Sequence, residues 1–134
     1  MLFDTHAHLE ERNFVDDLDE VLVRAKVQGV SLILNVGYNL KHARLSVDLA
    51  KKYDFIYAAV GLHPHDAKDA TDELWEEIYT LAAHPKVVAI GEMGLDYYWD
   101  HSPREVQRQV FRHQIGIAKD LKMPIIIHDR DANK

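Results

Sequence analysis

The stretch Ser31-Leu32-Ile33-Leu34-Asn35-Val36 is a nearly continuous apolar run of strand length, and an amphipathic stretch at 40–52 follows it. Runs of this kind are typical of strands that are buried on both faces of a parallel sheet. The same alternation continues in both directions along the chain. It predicts strands at 2–6, 31–36, 55–60, 87–91 and 124–128, and helices at 16–27, 40–52, 71–83 and 103–121. The resulting βαβαβαβαβ order predicts an α/β fold with a parallel sheet and right-handed crossovers.

Capping residues mark the start of two predicted helices. Ser102 precedes Pro103, and Glu105 stands three residues after the serine. This combination is typical of a helix N-terminus with serine as the N-cap and proline in the first turn. Thr71 is placed to cap the third predicted helix in a similar way.

The number of βα units falls short of a closed barrel. Eight units typically need about 250 residues, whereas this chain has 134 residues and is predicted to form five strands and four helices. We therefore expect a single incomplete (β/α) barrel module over residues 1–134. Its first and fifth strands are expected to be open edges. Two chains are then expected to associate through these edges, unless the edges are covered in another way.

Composition narrows the classes of function. Hydrophobic residues make up 47% of the chain, and cysteine is absent, which excludes disulfides, thiolate metal sites and a cysteine nucleophile. The formal net charge of −6 argues against a broad basic surface that grips many phosphates. We expect neither a signal peptide nor a membrane span, and we favour a reducing, cytoplasmic location. The sequence contains no nucleophile elbow, P-loop or dinucleotide-binding fingerprint.

Polar residues gather where the predicted strands end, although the strand interiors are almost wholly apolar. Five of the nine histidines lie at three of these ends, and the carboxyl ends of barrel strands are where such folds carry their chemistry. His6 and His8 are two residues apart on an extended segment, so both side chains project from one face. They can converge on one metal ion through neutral ring nitrogens. Packing or capping at the strand end is the alternative for this pair.

Glu92 and His128 each follow an apolar run. A buried carboxylate without a partner is costly, so we predict that Glu92 faces metal ions, with an arginine partner as the alternative. His128 is predicted to be a further ligand, although a hydrogen-bonded core histidine would show the same pattern. Arg130, two residues later, is placed to meet an anionic substrate.

The other histidines divide into two groups. His63 and His65 flank Pro64 after the third strand, and one of them is expected to touch the substrate, with simple exposure in a loop as the alternative. The remaining four are expected to lie on solvated faces of helices and outer loops: His42, His84, His101 and His113.

Four sequence blocks together resemble the TatD family of metal-dependent deoxyribonucleases. The blocks follow the family's order and spacing across the whole chain, and they are Phe3-Asp4-Thr5-His6-Ala7-His8-Leu9, Gly61-Leu62-His63-Pro64-His65, Val88-Ala89-Ile90-Gly91-Glu92-Met93-Gly94-Leu95-Asp96-Tyr97 and Ile127-His128-Asp129-Arg130-Asp131-Ala132. The third block is the most specific. The resemblance implies the N-terminal half of a TIM-like metallo-dependent hydrolase barrel.

The resemblance also implies a site for two divalent metal ions, which would be Mg²⁺, Mn²⁺ or Zn²⁺. His6 and His8 would bind the first ion and His128 the second. Glu92 would bridge the two ions and act as the catalytic carboxylate. Asp4 would orient one of the ligating histidines.

The implied substrate is DNA or another phosphodiester, which the family hydrolyses, often as a 3′ exonuclease. His63 and Arg130 would face this substrate, and His65 completes the set of predicted substrate-binding residues. The chain departs from the family pattern in one respect, because a histidine after the sixth strand and an aspartate after the eighth are not in these 134 residues. Four of six expected ligands are therefore present.

Two other functions remain open. One is an amidohydrolase-like enzyme that acts on an amide, a lactone or another ester. Such enzymes often carry a carboxylated lysine at the end of the fourth strand, where this chain has Glu92. The other is a catalytically inert half-barrel that acts mainly as an assembly unit through its open edges.

Overall fold

The computed structural model describes residues 1–133 and arranges them as alternating strands and helices. The strands are β1 (Leu2–Ala7), β2 (Val30–Val36), β3 (Ile56–Val60), β4 (Val87–Asp96) and β5 (Ile125–Arg130). The helices are α1 (Leu18–Val27), α2 (Leu40–Lys52), α3 (Asp72–Ala82) and α4 (Arg104–Leu121), with short 3₁₀ turns at Arg12–Phe14 and Pro64–Asp69. The predicted α/β class and the predicted number of elements are confirmed over this range.

The five strands form one parallel sheet in the order β1-β2-β3-β4-β5. Each strand therefore pairs with the next strand in the sequence, as in a singly wound barrel. Because parallel crossovers are right-handed, this order places the helices on the same face of the sheet. The sheet is thus half of a (β/α) barrel, with the carboxyl ends of all five strands at one rim.

Side chains on the two faces of the sheet form separate apolar cores. The larger core lies between sheet and helices and includes Ile56, Ile78 and Ile117. A smaller cluster of Leu34, Val36, Ala59 and Ala89 lies on the other face. Since successive strand residues point to opposite faces, the continuous apolar runs of the sequence serve both cores.

β4 is five residues longer than the sequence pattern predicts. It continues through Glu92 to Asp96 because β5 pairs with this second half, and Met93 and Gly94 are aligned with Ile127 and His128. Gly91 and Gly94 allow the two strands to approach, since a Cβ at either position would meet the backbone of β5. Gly94 has φ +145°, and a Cβ at this position would overlap the carbonyl oxygen of His128.

The two predicted helix caps have different outcomes. Thr71 caps α3 as predicted, since its side chain accepts a hydrogen bond from the Leu74 N–H at 3.1 Å. The prediction for Ser102 is wrong, because Pro103 occupies the N-cap of α4. The buried Ser102 hydroxyl instead donates to the His65 carbonyl oxygen at 2.8 Å and accepts from the Lys68 N–H at 3.1 Å. It joins the loops that follow β3 and β4.

The two outer strands are open edges within the described residues. β1 pairs there with β2 alone, and β5 pairs with β4 alone. Both strands carry exposed apolar side chains, among them Phe3 and Ile127. Across residues 1–133, every helix is too short or too polar to pass through a membrane.

Candidate metal centre

Histidines from β1 lie beside one oxygen of Glu92. His6 is within β1 and His8 directly follows it, while Glu92 is in β4. The Nε2 atoms of His6 and His8 are 3.3 and 4.0 Å from Glu92 Oε2. Glu92 is only 8% exposed, and its neighbours are histidines rather than the arginine that was the alternative.

Two more histidines lie beside the other oxygen of Glu92. His128 Nδ1 is 2.9 Å and His63 Nε2 is 3.9 Å from Oε1. In each of the two groups, His6-His8-Glu92 and His63-Glu92-His128, the potential ligand atoms lie within 4.8 Å of one another. Glu92 therefore stands between two histidine pairs, with one carboxylate oxygen directed to each.

Hydrogen bonds on the far side of two rings determine which nitrogen faces Glu92. His8 Nδ1 is 2.8 Å from the Val36 carbonyl oxygen, so we assign its proton to Nδ1 and the lone pair to Nε2. His128 Nε2 is 2.9 Å from Asp96 Oδ2, which leaves the Nδ1 lone pair towards Glu92. A lone pair and a carboxylate oxygen at 2.9 Å repel each other unless a proton or a cation lies between them. This donor set therefore fits metal ions, and partners of this kind are what orient ligating histidines.

His63 differs from these ligands in its protonation. Its Nδ1 accepts a hydrogen bond from the His65 N–H at 3.0 Å, so the neutral ring carries its proton on Nε2. Burial lowers the pKa of His63 to about 4, and the ring is neutral at pH 7. Nε2 is 3.2 Å from His128 Nδ1. His63 thus presents an N–H donor to the centre of the site, which suits an anionic oxygen better than a metal ion.

Asp96 is a site residue that the strand-end pattern did not single out. It is buried at the end of β4, and its Oδ2 contacts His65 Nε2 at 2.8 Å and His128 Nε2 at 2.9 Å. Burial opposes its ionisation, but hydrogen bonds from the Trp99 N–H and from these two histidines outweigh burial and lower the pKa of Asp96 to about 2. Its place in the Gly-Leu-Asp-Tyr block was the signal that could have indicated its importance.

The other predicted site residues lie around this centre. The His65 ring contacts Asp96 and is partly exposed. Arg130 is exposed, and its guanidinium lies over the Tyr98 ring at 4.3 Å. Asp4 accepts a hydrogen bond from the His6 backbone N–H at 3.1 Å, so the contact is with the main chain of the histidine rather than with its ring.

His42 is not on a solvated face, and this prediction is wrong. Its ring is half-buried, with Nδ1 3.3 Å from Glu10 Oε1 and Nε2 2.9 Å from the Tyr38 hydroxyl. The Tyr38 hydroxyl also donates to Glu11, and burial together with this bond raises the pKa of Tyr38. A third group of possible metal-binding atoms, Glu10-Glu11-His42, is thus already hydrogen-bonded within itself.

The three remaining histidines have separate environments. His84 is half-buried, contrary to the prediction, and its Nδ1 accepts from the Lys86 N–H at 3.1 Å. His101 and His113 are exposed, as predicted.

Hydrogen bonds of the Asn35 side chain connect the segment after His8 to the core. Its Oδ1 accepts from the Leu9 N–H at 2.6 Å, and its Nδ2 donates to Glu10 at 2.6 Å and to Ser46 at 2.8 Å. Burial opposes ionisation of Glu10, but His8 and Asn35 outweigh it and lower the pKa of Glu10. Glu10 in turn raises the pKa of His8, with burial opposing. This buried network holds His8 in place from the side away from Glu92.

We predict that Asn35→Ala destabilises the fold by about 3 kcal/mol, because it removes the buried partners of the Leu9 N–H and of Glu10 Oε2. Ser46→Ala is the matched control, since it removes one neutral contact of the same network and should cost about 1 kcal/mol. Urea denaturation of the metal-free proteins measures both changes. Equal losses for the two variants would contradict the proposed importance of Asn35.

A cleft of about 450 Å³ opens beside the histidines. Its walls include His8 and Glu92 of the candidate metal centre and Tyr38 with its partner Glu11. The full set of lining residues is His8, Glu11, Tyr38, Asn39, His63, His65, Asp66 and Glu92. The cleft gives an elongated ligand access to the Glu92 side chain from solvent.

A parallel half-barrel with histidines and a shared carboxylate at the carboxyl ends of its strands is typical of metal-dependent (β/α)-barrel enzymes. Comparison with known families agrees with this class, because the model of the family described as TatD related DNase matches residues 3–134. The chain belongs to this family, as the sequence blocks had indicated.

Individual relatives extend along the entire chain. The "Uncharacterized metal-dependent hydrolase YabD" of Bacillus subtilis strain 168 is 53% identical over 134 residues, which are 100% of this chain and 52% of that protein. The "3'-5' ssDNA/RNA exonuclease TatD" of Citrobacter rodentium is 40% identical over 132 residues, which are 98% of this chain and 50% of that protein. The chain thus spans about half the length of the curated relatives it matches.

Solved structures of related proteins have the same fold. The crystal structure of YjjV, a TatD homologue from Escherichia coli K12, superposes with a TM-score of 0.90 at 32% identity. The match covers 97% of this chain and 51% of the YjjV chain. A TatD-family hydrolase from Entamoeba histolytica also gives a TM-score of 0.90, at 26% identity. This match covers 98% of this chain and 50% of the Entamoeba chain. The half-barrel described above therefore corresponds to half of each of these structures.

Proposed function

We propose that this chain binds divalent metal ions and, with them, hydrolyses phosphodiester bonds in nucleic acid. The observation that carries the proposal is the position of Glu92, whose two oxygens face two separate histidine pairs. In this proposal His6 and His8 hold one divalent ion with Glu92, and His128 holds a second ion with the same carboxylate. The named exonuclease activity of the TatD relative supports the choice of a nucleic acid substrate.

The chemistry of the donor set agrees with this role. Divalent ions held there would act as Lewis acids that activate water at neutral pH and neutralise charge on phosphate oxygens. Imidazole and carboxylate ligands suit Mg²⁺, Mn²⁺ and Zn²⁺ to different degrees and leave the choice among them open. The local charge needed for a phosphate then comes from the site, which makes the net charge of −6 compatible with such a substrate.

The chain's own side chains would bind and orient the phosphate. His63 would donate its Nε2 proton to a phosphate oxygen, and burial keeps this ring neutral. Asp96 would hold the His128 and His65 rings by their Nε2 atoms. His65, which lines the cleft, and Arg130, at the end of β5, would contact the strand near the reacting phosphate.

Nucleotide release from a 5′-labelled single-stranded DNA tests the proposal. With Mn²⁺ or Mg²⁺ present, we expect shortening of the strand from its 3′ end and no shortening in EDTA. Glu92→Gln should reduce cleavage to the EDTA level, whereas Glu76→Gln, on the exposed face of α3, should leave it unchanged. Equal cleavage by wild type and Glu92→Gln would refute the proposal, as would no cleavage by wild type at saturating metal.

The open edges support a second candidate function, in which the chain is an assembly unit. We infer that residues 1–134 form one incomplete module whose β1 and β5 edges associate with a second copy, because both edges carry exposed apolar residues such as Phe3 and Ile127. Light scattering should then give a mass of at least two chains. A well-folded monomer at the concentration of the nuclease assay would rule this association out.

A further inference from the structure

Two large aromatic side chains are exposed at the rim that carries the candidate metal centre. Tyr98 and Trp99 follow β4 and are 55% and 51% exposed. Their rings meet edge to face, with centroids 4.8 Å apart at an interplanar angle of 86°. Adjacent exposed aromatic rings beside a polar cleft are more typical of a ligand contact than of a solvated loop.

Cationic and imidazole groups surround the two rings. The Arg130 guanidinium lies 4.3 Å from the Tyr98 ring centroid and 5.7 Å from that of Trp99. The His101 ring is nearly parallel to Trp99, at 6° and 5.8 Å between centroids. The surface thus combines flat faces for stacking with a positive group for an anion, and we call Tyr98, Trp99 and Arg130 the aromatic platform.

The segment that carries the aromatic platform is held firmly. The Trp99 N–H donates to Asp96 Oδ1 at 2.9 Å. Arg104 donates to both carboxylate oxygens of Asp100, at 2.9 and 2.8 Å, and to the Tyr97 carbonyl oxygen at 3.3 Å. Because these bonds order the loop, the rings lose little further freedom when a ligand stacks on them.

The aromatic platform is linked to the metal centre by shared contacts. Asp96 accepts from the Trp99 N–H through Oδ1 and from the rings of His65 and His128 through Oδ2. The His101 ring, beside Trp99, also meets the His65 ring edge to face at 4.6 Å. The platform and the metal centre are therefore neighbours, connected through Asp96 and His65.

We propose that the aromatic platform stacks an unpaired nucleobase next to the phosphodiester bond at the metal centre. This inference rests on the proposed function and specifies its substrate as a strand with unpaired bases near its end. Every base has a flat π face, so stacking on Trp99 and Tyr98 accepts any sequence. Bases inside a duplex have a neighbour on both faces, and the terminal base offers its outer face only while it stays paired with the opposite strand, so double-stranded ends are expected to be poorer ligands than single strands. Arg130 would contact a phosphate oxygen of the stacked nucleotide.

Binding without hydrolysis isolates this proposal from the hydrolase proposal. In EDTA, a fluorescently labelled single-stranded oligonucleotide of mixed sequence is titrated with the chain and followed by anisotropy. A stacked base contributes about 1–3 kcal/mol, so Trp99→Ala should weaken binding roughly 5- to 100-fold. Trp99→Phe should retain most of the affinity. Tyr79→Ala, which removes an exposed aromatic ring on α3, is the matched control and should bind like wild type.

Trp99 also offers a direct spectroscopic signal. The chain has two tryptophans, so Trp75→Phe leaves Trp99 as the single one. Its fluorescence should be quenched saturably by the single-stranded oligonucleotide and much less by a blunt duplex of the same length. Thermal denaturation of each variant confirms folding before binding is measured.

The outcomes separate the two proposals. The platform proposal is overturned if wild type does not bind the single strand, if Trp99→Ala binds as tightly as wild type, or if the blunt duplex binds equally well. The second of these outcomes would occur if the rings served a protein partner instead. If Trp99-dependent binding is found but metal-dependent cleavage is not, the platform stands and the hydrolase proposal fails.

Discussion

Replacing Glu92 by glutamine is expected to weaken Mn²⁺ binding more than about 100-fold at both ion positions, because removing even an indirect partner of a metal ligand costs 10- to 100-fold. A double loss is expected because both ions would share this carboxylate in the proposed site. Oε2 faces His6 and His8, and Oε1 faces His128. Glutamine keeps the shape of the side chain but replaces one oxygen with an NH₂ group that cannot bind a cation, and it removes the negative charge of the carboxylate.

Isothermal titration calorimetry with Mn²⁺ measures this effect through both affinity and stoichiometry. His6→Ala and His128→Ala should each remove one ion, whereas Glu92→Gln should remove both. Glu76→Gln changes the same residue type on the exposed face of α3 and should leave binding intact. Retention of two tight sites in Glu92→Gln would show that the carboxylate does not bridge the ions.

Replacing Gly94 by alanine is expected to destabilise the chain by roughly 3 kcal/mol or more, because the backbone there combines a glycine-only conformation with a steric overlap. Gly94 has φ +145°, and an added Cβ would overlap the His128 carbonyl oxygen. Relief of this overlap requires β5 to move away from β4. Because His128 is part of β5, the same change should also weaken Mn²⁺ binding.

Gly116→Ala is the matched control for this substitution. Gly116 lies within α4, and a Cβ built there meets nothing within 4 Å. The alanine variant should gain about 0.5–1 kcal/mol, since glycine is the less favourable residue in a helix. Urea denaturation should therefore move the two midpoints in opposite directions. Similar shifts for both variants would mean that the close approach of β4 and β5 is not important for stability.

Local patterns were sufficient to predict the order of elements but not every strand end. α2 begins and ends where its apolar spacing indicated, because the periodicity of a helix is contained in its own residues. The end of β4 depends on pairing with β5, more than thirty positions later in the sequence. The role of Gly91 and Gly94 also lies in the contact with β5, because a Cβ at either position would meet the backbone of that strand.

The candidate site was predictable to the extent that strand ends meet at one rim. His6, His8, Glu92 and His128 were selected by this rule, and their ligand atoms do come together. The rule could not show that His63 presents an N–H donor or that Asp96 contacts two histidines. Such details depend on which hydrogen bonds form between elements distant in sequence, and so does the burial of His42 beside Glu10.

The sequential strand order also bears on how the chain acquires its structure. Since each strand pairs with the one before it, every new βα unit can dock on a surface that already exists, and each new pairing closes only the segment between two consecutive strands. Synthesis from the N-terminus presents the units in this same order. The sheet can thus form one strand at a time, starting from β1. Each intermediate exposes the unpaired edge of its last strand until the next βα unit pairs with it.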